Sequence, residues 1–142
     1  MREIKYQAWI PGVKQMRDVI NFDFFEPDDV YTRLPQVKIW NHASTRAAKI
    51  KGHVATYFKK DVILREYTGL KDKNGKEIYE GDITCRHWDN GTWQNGKIIY
   101  DKDYAGFCWQ EISPQIKFIH PIGINTNHSE IIGNIYENPE LL

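Results

Sequence analysis

The chain has 142 residues, and its nineteen basic and nineteen acidic side chains cancel, so no global field draws it to nucleic acid or to a membrane surface. That length can bury a core without staples. Cys85 and Cys108 are too few for a disulfide framework or a paired-cysteine metal knuckle and read as reduced, buried thiols. No apolar run approaches the roughly 20 residues of a membrane span, and the start lacks the basic and apolar stretches of a secretory signal. The expectation is a cytoplasmic protein with no membrane partner. Five Trp, eight Tyr and six Phe favour strands, where flat and branched side chains pack on a pleated surface.

In chain order, Ile4, Tyr6, Ala8 and Ile10 alternate with Glu3, Lys5, Gln7 and Trp9, the period of a half-buried strand. Pro11-Gly12 turns the chain. A second strand follows where Ile20, Phe22 and Phe24 alternate with Asn21, Asp23 and Phe25, so the two make an antiparallel hairpin. Glu26-Pro27-Asp28-Asp29 ends it. Over residues 30–60 two readings stay open. Ser44 or Thr45 caps a short helix over Arg46-Ala47-Ala48-Lys49-Ile50-Lys51, closed by Gly52, or the same stretch is a mobile loop. Val54–Phe58 and Val62–Glu66 read as strands around the polar turn Lys59-Lys60-Asp61.

Tyr67–Asp82 reads YTGLKDKNGKEIYEGD. Asn74-Gly75 is the pair that most readily takes the positive φ angles of a tight hairpin turn, with Ile78 entering the next strand. Gly69 and Gly81 punctuate the segment. Short strands then recur at Asp82–Trp88, Trp93–Tyr100, Gly106–Gln110, Gln115–Ile119 and Glu130–Tyr136. Gly91, Asn95-Gly96, Asp101–Asp103, Ser113-Pro114 and Asn125–Asn127 connect them, and Asn138-Pro139 ends the last. This spacing predicts a mainly β protein. An SH3-like barrel occupies its C-terminal half, residues 62–142, and residues 1–61 supply an N-terminal β-hairpin region and a basic connecting segment, with at most one or two short helices.

The run Tyr67–Asp82, the tail Ile132–Leu142 and the opening Met1–Trp9 together resemble the YopX family of small phage and prophage proteins. Residues 25–60 and 86–128 contribute nothing to the likeness. The resemblance implies a phage- or prophage-encoded accessory protein of a bacterial cytoplasm, and it brings no catalytic residues to this chain.

Asp72, Glu77, Glu80 and Asp82 cluster in the signature, and paired carboxylates in contrasting environments can do acid–base work; aspartate beside glycine equally serves turns. His87 and Asp89, joined by His120 and His128, are candidate metal ligands without a ligand motif to fix their convergence. Cys85 and His87 share a strand face, whereas a catalytic pair usually meets across a fold. Phosphate-cradling glycine loops and nucleophile elbows are absent from the sequence, so no cofactor is expected and an enzyme is the distant alternative.

Charge is segregated along the chain. Residues 30–60 carry Arg33, Lys38, Arg46, Lys49, Lys51, Lys59 and Lys60 and no acid, while residues 1–29 net −2 and residues 61–142 net −5. Bases interleaved with Trp40 and Tyr57 suit a nucleic-acid groove, in which cations track phosphates and aromatic faces stack on bases. Arg46, Lys49, Lys51, Trp40 and Tyr57 are therefore the candidate binding residues, for nucleic acid or a protein partner. The bland reading makes the bases a solvated face and the aromatics core. Self-association into a homo-oligomer is the alternative, the basic segment of one copy meeting the acidic half of another, with Trp88 and Trp93 as its anchors.

Overall fold

The computed structural model describes residues 3–23, 36–41, 53–58, 61–88, 91–113, 118–124 and 128–142. The chain divides into two compact units, one of Lys5–Leu64 and one of Arg65–Leu142 with Met1–Ile4.

In the amino-terminal unit β1 (Tyr6–Ile10), β2 (Gln15–Asp23), β3 (Gln36–Asn41) and β4 (His53–Phe58) pair antiparallel in the order β4-β3-β2-β1. The Pro11-Gly12 turn forms as expected, with Val13 N donating to Ile10 O at 3.3 Å and Lys14, at φ 52°, completing the reversal. The alternation in β1 is not clean. Ala8, Trp9 and Ile10 are all buried, so the end of this strand is covered on both faces. Ile20 is exposed because the β2–β3 register shifts between Val19 and Asn21; a bulge sets the extra residue out of the alternation. Val19 instead packs on the small core of Ala8, Ile10 and Val62, beside Leu64. The strand β3 lies where no element was expected, and the helix expected over 46–51 lies outside the described residues.

β5 (Ile63–Lys71) continues into the carboxy-terminal unit and pairs with β6 (Glu77–Tyr79). There β7 (Asp82–His87), β8 (Trp93–Asp101), β9 (Gly106–Glu111), β10 (Ile119–Pro121) and β11 (Ser129–Asn134) form one antiparallel sheet in the order β10-β9-β8-β7-β11. A 3-10 turn at Ile122–Ile124 precedes the return of β11 to β7. The mainly β expectation holds. Among the described residues no ladder joins β10 to β11, and no closed barrel is seen. The fourth strand starts at Ile119, at the end of the expected Gln115–Ile119, whose residues 115–117 lie outside the described chain. β11 stops two residues short of Tyr136 because Asn134 Oδ1 accepts the N–H groups of Tyr136 and Glu137 at 3.1 and 2.9 Å, a side-chain turn that competes with the ladder. Pro139–Leu141 then forms a 3-10 turn.

Ile78, Ile98, Phe107, Trp109 and Ile122 make the core of this unit, with Leu70 and Ile131 against it. Gly96 lies inside β8, not in a connector, and its position is dictated by Trp109. A Cβ there would stand 2.0 Å from the indole Cε2. The indole crosses the bare backbone and donates from Nε1 to Thr84 Oγ1 at 3.0 Å.

Candidate functional site

The signature carboxylates are held as architecture. Gly75 N donates to Asp72 O at 2.9 Å and Asp72 N to Lys76 O at 2.8 Å. The centre of the turn is therefore Lys73-Asn74, one residue earlier than expected, and Gly75 follows at φ 80°. Outside glycine the positive-φ residues of the described chain are Lys14 and Ala105, so Asn74 takes an ordinary conformation. The reason is Asp72. Its Oδ1 accepts the N–H groups of Asn74 and Lys76, both at 2.9 Å, which closes the loop from inside. Its Oδ2 accepts Ile131 N at 3.1 Å, and Lys73 N donates to Ser129 O at 3.0 Å, so the turn is docked on β11. Burial pushes the Asp72 carboxyl upward, but the three backbone donors and Lys76 together hold it below the ordinary aspartate range.

Asp82 takes the buried guanidinium of Arg65 as its partner and accepts Tyr79 N at 2.8 Å. Arg65 Nε donates to Glu80 O at 2.7 Å, so this ion pair pins β5 to the turn before β7. Burial raises the Asp82 carboxyl against the pull of Arg65. Glu77 accepts the Tyr79 hydroxyl at 2.9 Å. Asp72, Asp82 and Glu77 thus serve separate structural contacts, the arrangement of a scaffold and not of an acid–base pair.

The described residues contain no group of three or more His, Cys, Asp or Glu able to hold a metal ion; Asp89 lies outside them. His87 instead packs against Trp93 with the rings tilted at 50° and 4.6 Å between centroids. Cys85 and Cys108 are free thiols pushed upward by burial, the opposite of an activated nucleophile. No helix among the described residues is long and apolar enough to cross a membrane.

Arg46, Lys49 and Lys51 lie outside the described residues. Trp40 is in β3, opposite Val54, and Tyr57 is in β4, opposite Val37. Residues 42–52, with those three bases, connect Asn41 to His53, which face each other at one end of the ladder. Trp40 is one residue from that end of the ladder, while Tyr57, opposite Val37, is near the other.

A second cluster was not read from the sequence. Arg86, 3% exposed, lies with its guanidinium carbon 4.7 Å from the Trp109 ring and 5.2 Å from that of Trp88. His120 stacks on Trp109 at 5.3 Å and 23°. Burial and the nearby Arg86 charge push the imidazole below the ordinary histidine range, against Glu111. Trp88 Nε1 donates to Gln94 Oε1 at 2.6 Å. Arg86 Nε and His120 Nε2 are buried with no hydrogen-bond partner among the described residues. The sequence signal was faint: Arg86 and Trp88, two residues apart at the end of β7, where alternate positions share a face.

A family model described as YopX protein matches residues 5–142. The crystal structure of protein EF1440 from Enterococcus faecalis is similar in fold, with a TM-score of 0.61 and 23% identity, over 100% of this chain and 99% of that one. No curated protein matches the chain.

Proposed function

The chain belongs to the YopX family, and from that premise we propose that it is a phage- or prophage-encoded, non-catalytic binding module whose ligand is single-stranded nucleic acid. The observation that carries this reading is the segregation of charge along the chain. Seven bases and no acid fall between residues 30 and 60, and the two strands of that segment, β3 and β4, stand together at one end of the strand order. Arg46, Lys49 and Lys51 fall in the sequence between β3, which carries Trp40, and β4, which carries Tyr57. A cationic connector next to an aromatic residue is the pairing that lets a protein follow a phosphate backbone and stack bases without reading sequence. The structural use of Asp72 and Asp82 supports a module without catalysis.

The test is retardation of labelled oligonucleotides with the Arg46→Glu, Lys49→Glu, Lys51→Glu triple variant. Wild-type binding should weaken steeply with salt, because each neutralised phosphate releases counterions, and the variant should lose binding while keeping its melting temperature. The net −5 of residues 61–142 favours self-association as the second reading; the same variant would then change the mass measured by light scattering. Absence of wild-type binding at low salt would refute the nucleic-acid reading.

A further inference from the structure

We propose that Arg86 and His120 form a binding site for a phosphate-type oxyanion at the β7–β8 hairpin end of the carboxy-terminal sheet. A buried guanidinium is normally paired with a carboxylate, because taking its charge out of water is costly and an uncompensated charge keeps that cost. Arg86 has no carboxylate partner among the described residues. Its compensation is the faces of Trp109 and Trp88, at 4.7 and 5.2 Å, and cation–π contact offsets only part of such a loss. The Nε proton is left without a nitrogen or oxygen acceptor. A second buried nitrogen, His120 Nε2, is also without a partner, and both groups meet the same indole, that of Trp109. Two orphaned nitrogens against one ring are groups that a single bound acceptor can satisfy together.

The register puts them on one face. Arg86 pairs with Gln94, His120 with Trp109 and Trp109 with Ile98, and residues directly opposite share a face of the sheet. Around the buried Arg86 stand Trp88, Gln94, Glu111 and His120, each half-buried, which gives the site a rim open to solvent. Glu111 is the acid nearest the imidazole, yet it makes no ion pair with Arg86 among the described residues. The planar fork of an arginine favours phosphate geometry, and His120 can supply the second hydrogen bond, as the neutral imidazole with its proton on Nε2 donates from that nitrogen. The indoles hold the guanidinium in place before the ligand arrives.

The proposal stands apart from the basic hairpin. Inorganic phosphate titrated into the full-length protein in phosphate-free buffer should give a saturable change in tryptophan fluorescence, since Trp88 and Trp109 flank Arg86, and should raise the melting temperature. Arg86→Gln should weaken the phosphate affinity by about tenfold or more, the usual effect of removing a hydrogen bond to a charged group, and Arg86→Lys by less. If Arg86→Gln does not fold, His120→Asn supplies the test, with severalfold weaker binding expected. A 5′-mononucleotide bound more tightly than phosphate would assign the anion to a nucleotide, and equal binding would assign it to the free ion; both support the site. No saturable change, an affinity unaltered in Arg86→Gln, or acetate bound as tightly as phosphate would overturn it. The triple-glutamate variant of the basic connector should retain phosphate binding. Its loss there would move the anion to that connector and overturn the assignment to Arg86.

Discussion

Replacing Asp72 by Ala removes one carboxylate that serves two elements far apart in the chain. Its oxygens accept Asn74 N and Lys76 N at 2.9 Å within the turn and Ile131 N at 3.1 Å across to β11. Asn74 and Lys76 are exposed, so water can replace the carboxylate there at about 0.5–1 kcal/mol each. Ile131 is half-buried against the core, and its N–H, stripped of a charged acceptor, should cost about 1.5 kcal/mol. Together these amount to about 3 kcal/mol, or a fall of about 10 °C in melting temperature for a chain of this size. Asp72→Asn keeps one carbonyl acceptor and should lose about half as much. The pH dependence follows from the carboxyl being held below its ordinary value of 3.8. A depressed folded pKa contributes stability above the unfolded pKa, and that contribution disappears as pH falls through the folded one. The wild type should therefore lead Asp72→Asn at pH 7 and give up the charge-dependent part of that lead below about pH 4. Thermal melts followed by far-ultraviolet circular dichroism between pH 7 and pH 3 measure both effects. An Asp72→Ala melting temperature within about 2 °C of wild type at pH 7 would refute the reasoning, as would an Asp72→Asn gap that does not narrow on acidification.

Gly75→Val should lower stability by about 1–3 kcal/mol through backbone strain alone, since Gly75 sits at φ 80° with nothing within 4 Å of an added Cβ; an unchanged melting temperature would count against it. Gly96→Ala should be worse, by about 3 kcal/mol, because the methyl lands on the Trp109 indole and must also disturb its bond to Thr84. Near-ultraviolet circular dichroism should show the loss of the ordered tryptophan, and an intact spectrum would show that the sheet accommodates the methyl. Deleting residues 130–142 strips β11 from β7 and Ile131 from the core. The product should be insoluble or unfolded, and a folded, monodisperse truncation would show the tail to be dispensable.

The local order of the chain was largely written in its residues. The strands β7, β8 and β9 begin where their apolar alternation begins, and the signature turn forms where Asp72, Asn74 and Gly75 crowd together. The apex nevertheless sits one residue early, because Asp72 closes the loop with its own oxygen and leaves Asn74 no need of a positive φ. The exposed Ile20 shows the limit of alternation, as its parity depends on a bulge set by the pairing with β3. Of the candidate binding residues, Trp40 and Tyr57 acquire places only through the β3–β4 register, a strand pair for which residues 30–60 carried half the signal.

What the sequence determined by itself is what acts over a few residues: the period of two that makes strands, the proline and glycine that turn them, and the aspartate that caps its own turn. Tertiary structure decided everything that depends on which strands become neighbours. Asp72 reaches Ile131 across 59 positions, Arg65 finds Asp82 across the turn before β7, and Gly96 is required by an indole thirteen residues later in the chain. Arg86 is the sharpest case. In sequence it is one more charge that water would solvate; its contact with the Trp109 indole follows from β9 and β7 flanking β8 in one sheet. The free energy of a charge is set by what surrounds it in space, and the order of residues specifies those surroundings only after the sheet has assembled.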